Sequence, residues 1–282
     1  MIDKDNLRKF YIESNEQLKK KLEALDFKLK YDYEDPETLN YFLRLSEIIV
    51  PRVELVERIE YRSFLECLKE MLNGIDNPIV KDYFLRMYSL TEFDSSPSVE
   101  LNCSKSSIIK NGNNLSFKLA LPEYPYDVNF LFSTITRGLA QFYMFYGNCR
   151  DYYEYSEVLP IFFEYLMLQT CDKENGEQDF IDYHLNALND NLSDLNNDLF
   201  FAINDEYLKI NRHFYSLCLA DTMSYIESFE YVLNLIDRRN EDKEYVDFQV
   251  ASVLARETSL QKVAQDLDIK VSKYQKIRKL TR

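Results

Sequence analysis

The sequence predicts a mostly α-helical protein with one small β-hairpin or three-stranded sheet. Three observations carry that prediction. Only five glycines and seven prolines interrupt 282 residues, and no proline follows Pro160. Long runs with apolar residues at helical spacing lie before Ser95 and after Val128, and between Ser95 and Pro125 the pattern switches to alternation.

The first helix is expected from Asp3 to about Asp26. A longer periodic run begins at Pro36, PETLNYFLRLSEIIVPRVELVERIEYRSFLECLKEML, and Pro51 kinks or divides it. In SVELNCSKSSIIKNGNNLSFKLALPEYPYD polar and apolar residues alternate and NGNN supplies a tight turn, so two or three strands are expected there. Helices follow near Val128 to Gly147, Glu154 to Thr170, Gln178 to about Leu188, Asp205 to Arg238 and Asp242 to Glu257, with two short helices closing the chain. These runs suggest an N-terminal helical region over 1–94, a core over 95–240 and a C-terminal helical cap over 241–282. Tyrosine and phenylalanine, 22 and 19 residues, thicken the core.

Composition narrows the function. The five cysteines, Cys67, Cys103, Cys149, Cys171 and Cys218, are odd in number, widely spaced and free of any CxxC pair. That favours reduced thiols in a cytosol and argues against a cysteine-built zinc site. The charged N-terminus lacks the apolar run of a signal peptide, and no segment has the roughly 18 apolar residues that span a bilayer. A cytoplasmic protein is therefore expected, with no membrane partner. The net charge of −14 disfavours nucleic acid. From Ser259 to Arg282, however, seven basic and two acidic residues give a local +5, leaving −19 on the rest.

The central stretches TITRGLAQF, SEVLPIFFE and RHFYSLCLADTMSYIESF lie on successive predicted helices that follow the alternating tract. In that order they resemble the catalytic segment of zincin metallopeptidases of the thimet oligopeptidase and oligoendopeptidase F family, over roughly Leu115 to Phe229. That family binds zinc through two histidines of HExxH at i and i+4 on one helix face, with a glutamate from a later helix as third ligand. With Gly138 and Ala140 in the family frame, the histidine positions fall on Ile135 and Leu139 and the general-base position on Thr136. Sliding by one residue puts Thr136, Arg137 and Ala140 there instead. Neither register supplies a ligand. Glu157, Pro160 and Glu164 are similar to the third-ligand segment, and Phe214, Tyr215 and Ala220 to the family's tyrosine-rich helix, where Leu217 and Leu219 replace further tyrosines.

The resemblance implies a zincin-like scaffold without zincin chemistry: no catalytic residue, no metal and no cofactor. Ile135, Thr136, Leu139 and Glu157 would be the degenerate metal-site positions. Arg137, Glu164, His213 and Tyr215 would line a groove that still takes a peptide or protein segment, by strand addition along Leu115 to Leu121. Arg137 is expected to turn toward the two glutamates and replace the charge of the missing dication. The plainer reading makes Ile135, Leu139, Phe142 and Tyr143 an ordinary core stripe and the two glutamates a solvated face. His213 would then be a surface histidine, and His184 could meet a cysteine or carboxylate. An enzyme of another type, using Glu157, Glu164 or Asp221 in acid-base roles, is a third reading.

A separate alternative lies at the C-terminus. In TSLQKVAQDLDIKVSKYQKIRKLTR, Thr258 or Ser259 can cap a short helix, DIKVS can turn, and Lys273 to Lys279 can form a second, basic helix. That order is similar to a helix-turn-helix and would make the protein a regulatory or DNA-binding module, against a helical cap with a solvated basic end. Lys273, Lys276, Arg278 and Lys279 would then meet phosphates. The oligomeric state is not legible in the sequence.

Overall fold

A computed structural model describes residues 3–31, 50–55, 64–92, 98–101, 107–111, 114–119, 128–146, 155, 157–204 and 208–270. The fold is mostly helical. In chain order the elements are α1 (Lys4–Tyr31), α2 (Phe64–Asn73), α3 (Pro78–Glu92), β1 (Ser98–Leu101), β2 (Ser107–Asn111), β3 (Asn114–Leu119), α4 (Val128–Tyr146), α5 (Val158–Cys171), α6 (Gly176–Asn204), α7 (Leu208–Glu241), α8 (Lys243–Leu254) and α9 (Leu260–Asp266). Among the described residues no helix is long and apolar enough to cross a membrane.

The chain divides into two compact units, and they are not the sequential segments 1–94, 95–240 and 241–282. One draws on Met1–Glu54 and Ile181–Glu230, the other on Leu55–Phe180 and Tyr231–Lys270. The division falls inside α6 and α7.

In the first unit α1 buries Leu7, Tyr11 and Leu18, one stripe at spacings of four and seven. The first unit's part of α6 buries Leu185, Leu188, Leu192 and Leu195 in the same manner. Residues 50–55 are not helical: Pro51 blocks a helix, and Asn186 replaces a backbone partner. Its side-chain oxygen accepts from Val53 N at 2.9 Å while its Nδ2 donates to Val53 O at 2.8 Å.

The second unit is built round α5. Every residue of α5 from Val158 to Leu168 is buried, so the helix is enclosed on all sides and stands at the centre of this unit. Phe163 of α5 meets Phe84 of α3 edge-on, with ring centroids 4.3 Å apart. Asn77 starts α3 by accepting from Ile79 N, with Pro78 at the first helical position where no amide donor is needed. Between α5 and α6, Asp172 accepts from the amides of Glu174 and Asn175. Gly176 follows because any Cβ there would strike the Leu168 carbonyl.

The strands form one sheet in the order β1-β3-β2, with β2 antiparallel and β1 parallel to β3. β3 is thus hydrogen-bonded on both sides. A peptide cannot add to it, which corrects the edge role expected for Leu115 to Leu121 as far as Leu119, residues 120 and 121 lying outside the described residues; among the described residues β1 and β2 are the outer strands.

Candidate functional site

One face of α4 in the second unit carries a line of polar side chains. Asn129, Ser133, Arg137 and Gln141 recur every four residues, a spacing that keeps them on one helix face. Each donates to a carboxylate from a later helix. Asn129 Nδ2 reaches Asp179 Oδ2 at 3.1 Å, and Ser133 Oγ reaches Glu164 Oε1 at 2.5 Å. Arg137 donates to Glu157 Oε2 from Nε at 3.2 Å and from Nη2 at 2.9 Å. Gln141 Nε2 donates to the other oxygen, Glu157 Oε1, at 2.6 Å. Because Ser133 pairs with Glu164 and Arg137 with Glu157, α4 and α5 run antiparallel.

Glu157 stands at the N-cap of α5 yet makes no side-chain cap bond. Its carboxylate is instead held by α4, with both oxygens occupied. The side chains of Arg137 and Glu157 are 27% and 20% exposed, so the pair sits at the rim, partly desolvated. Such a charge-assisted pair contributes about 1 kcal/mol, more than a fully exposed one. Deeper in, Glu164 is only 4% exposed and Asp179 only 5%, and hydroxyl and carboxamide donors replace part of their lost hydration. The expectation of a solvated glutamate face fails for Glu164.

This geometry selects a different helical phase from either sequence register. At about 100° per residue, Ile135 and Leu139 each lie about 160° round α4 from Arg137. Leu139 is buried in the core and Ile135 is half-buried, and their phase takes both away from Glu157. Thr136 is buried about 100° from Arg137, and its hydroxyl has no hydrogen-bond partner among the described residues. The i and i+4 pair that faces Glu157 is Arg137 and Gln141, with Gly138 between them.

The residues there do not fit zinc. A guanidinium stays protonated and offers no lone pair, and a carboxamide is a poor ligand for a borderline metal. Among the described residues no three His, Cys, Asp or Glu side chains are gathered to hold a metal. What the arrangement can do is fix two helices and present one cation and one anion at a rim.

Of the remaining predicted positions, the side chains of His213, Tyr215 and Asp221 lie outside the described residues, as does the stretch Lys273 to Lys279. Among the described residues no group of metal-binding side chains gathers at His184. This histidine is buried in the first unit, where His184 Nδ1 and Tyr225 Oη lie 2.6 Å apart. Tyr11 Oη donates to the His184 carbonyl at 2.8 Å, and Tyr11 stacks on Phe229 at 4.1 Å.

Tyr165, on α5, has its phenol pushed up from 10.0 to about 12. Burial is the main cause, and the negative charge of Glu177 adds to it, with Arg239 opposing and Asp237 reinforcing. Comparison of the chain with protein-family models, curated proteins and solved structures finds no match.

Proposed function

We propose that the protein is a cytosolic, non-catalytic protein of zincin-like, oligopeptidase-like architecture, in which the Arg137 guanidinium takes the place of the metal dication. It works by binding an extended peptide or protein segment, not by cutting one. The observation that carries this reading is the Arg137–Gln141–Glu157 cluster. An i, i+4 pair on one helix converges on a glutamate from the next helix, and the two donors are of the wrong chemistry for zinc. The cation neutralises the carboxylate a metal would otherwise balance, so the helix pair keeps its packing without an ion.

The binding surface follows from the sheet. β3 is saturated, and among the described residues β1 and β2 each have one strand neighbour, so their outer edges are where a peptide adds a strand. The chain's net charge of −14 favours basic peptides over acidic ones.

Metal analysis and hydrogen exchange test both halves. Purified protein should hold no stoichiometric zinc and hydrolyse no peptide when zinc is added. Basic ten-residue peptides should slow amide exchange in β1 or β2. Tight one-to-one zinc with zinc-dependent peptidase activity contradicts the first half, and unchanged exchange in both strands contradicts the second.

A further inference from the structure

α3 and α8 pack side by side in the second unit, and their starts are tied together, with Lys243 Nζ 3.6 Å from Asp76 Oδ2. The inner face of α3 carries Val80, Tyr83 and Phe84, all buried, and both rings meet Phe163 of α5. The inner face of α8 carries Val246, Val250 and Val253, also buried. Each helix therefore has the apolar stripe that fixes it to the core.

Each also carries apolar residues turned the other way. Ile79, Asp82 and Leu85 follow one another at three-residue steps on α3, and all three are exposed, with the aspartate between the two aliphatic side chains. On α8 the exposed residues are Glu244, Tyr245 and Phe248, which share one face of its first two turns. Leu85 and Phe248 are 55% and 56% exposed, so neither serves the core. Among the described residues six large apolar side chains stand exposed, and Ile79, Leu85, Tyr245 and Phe248 are four of them. Single exposed apolar residues are ordinary, whereas four on two adjoining helices make a patch.

The charge beside the patch has one sign. Asp82 and Glu244, the charged residues exposed on these two faces, are both acidic, and Asp76 and Asp242 stand exposed at the helix starts. Of the neighbouring lysines, Lys81 is half-buried and Lys243 is held by Asp76.

We propose that the outward faces of α3 and α8 are a docking surface for an amphipathic helix of a partner protein, one that carries lysine or arginine beside its apolar stripe. Ile79, Leu85, Tyr245 and Phe248 receive the stripe, and Asp82 and Glu244 meet the flanking cations. The backbone groups of a helix bond within the helix, so this surface recognises side chains and offers no ladder to an extended strand. A second copy of the chain would set the patch against itself and bring Asp82 and Glu244 toward their like. The same two carboxylates repel an anionic membrane. The proposal is independent of the zincin-like reading and of the strand edges.

The test is fluorescence anisotropy of the full chain with a labelled helical peptide of about five turns, built of leucine and lysine with the leucines on one face. Wild type should bind it with a Kd below about 50 µM near 50 mM salt. Leu85→Ser with Phe248→Ser removes the two most exposed anchors and should weaken binding at least about tenfold. Leu55→Ser, at an exposed residue outside the two helices, should bind as wild type does. Asp82→Asn with Glu244→Gln should weaken binding about threefold near 50 mM salt and by less near 500 mM. Every substituted side chain is exposed, so circular dichroism melts of the variants should coincide with that of wild type. Hydrogen exchange of wild type locates the site without any variant, and the peptide should slow amide exchange in α3 and α8.

No binding by wild type up to about 200 µM peptide overturns the proposal. So does equal binding of a peptide with its leucines dispersed, or with glutamate in place of each lysine. Exchange slowed in β1 or β2 and unchanged in α3 and α8 assigns the peptide to the strand edges and overturns it as well. A wild-type dimer that Leu85→Ser with Phe248→Ser dissolves, seen in sedimentation, makes the occupant a second copy and also overturns it.

Discussion

The two units each bury a polar centre, and they satisfy it in opposite ways. In the second unit three carboxylates meet a line of donors on α4, and the cation in that line, Arg137, sits at the rim with Glu157. In the first unit Tyr11, His184 and Tyr225 bond to one another among stacked rings. The centre on α4 depends on charge and the Tyr11–His184–Tyr225 centre on ring packing and hydroxyl direction. A helix pair that must hold acids needs a donor for each, which is why α4 repeats a donor every fourth residue. A cluster of rings needs only one phenol placed between two acceptors.

The largest break in this comparison is expected at Glu164. Glu164→Ala leaves the buried Ser133 hydroxyl unpartnered and opens a cavity, and should lower unfolding stability by about 3 kcal/mol in chemical denaturation. Pairing Ser133→Ala with Glu164→Leu should recover most of that loss, because an apolar pair of similar volume carries no orphaned group. If the double variant is no more stable than Glu164→Ala, the donor line is not what holds α4 on α5. Tyr225→Phe should cost about 1–2 kcal/mol by removing the phenol shared by Tyr11 and His184, and the loss should be the same in low and high salt. Arg137→Met should cost about 1 kcal/mol at low salt and less at high salt, where the rim pair is screened. Equal salt responses for these two variants would erase the distinction between the centres.

The smallest effect at neutral pH is expected at Tyr165. Its folded pKa, about 12, lies above the unfolded value of 10.0, so the folded state holds the proton more tightly. The stability this gives is present below pH 10 and is lost as pH rises through about 12. Tyr165→Phe keeps the ring against Phe180, at 5.2 Å in the parent, and removes the titration. Its alkaline unfolding midpoint should therefore lie above that of wild type, while its stability near neutrality changes little. An unchanged alkaline midpoint would assign the alkaline transition to other groups.

Much of the helix order is legible in the sequence, and its failures have physical causes. The expected end of a helix near Leu188 is too early: α6 continues to Asn204 through NDNLSDLNND, a stretch of weak helix formers, because Leu188, Leu192 and Leu195 bury at helical spacing. Tertiary packing overrides propensity there. Glu157, Glu164 and Arg137 were each legible as site residues, but their partners Ser133 and Gln141 were not, nor was the Asn129–Asp179 pair. The signal for three of these was present as the four-residue spacing from Asn129 to Gln141. Matching TITRGLAQF by its small residues fixes Gly138 and Ala140 and so puts Ile135 and Leu139 at the ligand positions. The residues of α4 that meet Glu157 are Arg137 and Gln141, a helical phase set by packing on α5, which no local pattern encodes. The left-handed turns at Arg256 and Asp268 were hidden for a related reason, since neither carries the glycine by which such turns are read.

The central claim is that Arg137 and Gln141 are the two positions of α4 that converge on Glu157. The most direct test installs imidazoles there. A variant carrying Arg137→His and Gln141→His would present two histidines at i and i+4 to Glu157, and zinc titration by calorimetry should show one-to-one binding that Glu157→Ala abolishes. A variant carrying Ile135→His and Leu139→His, the positions the sequence register chose, should bind no stoichiometric zinc. Zinc bound by the second variant and not by the first would contradict the account.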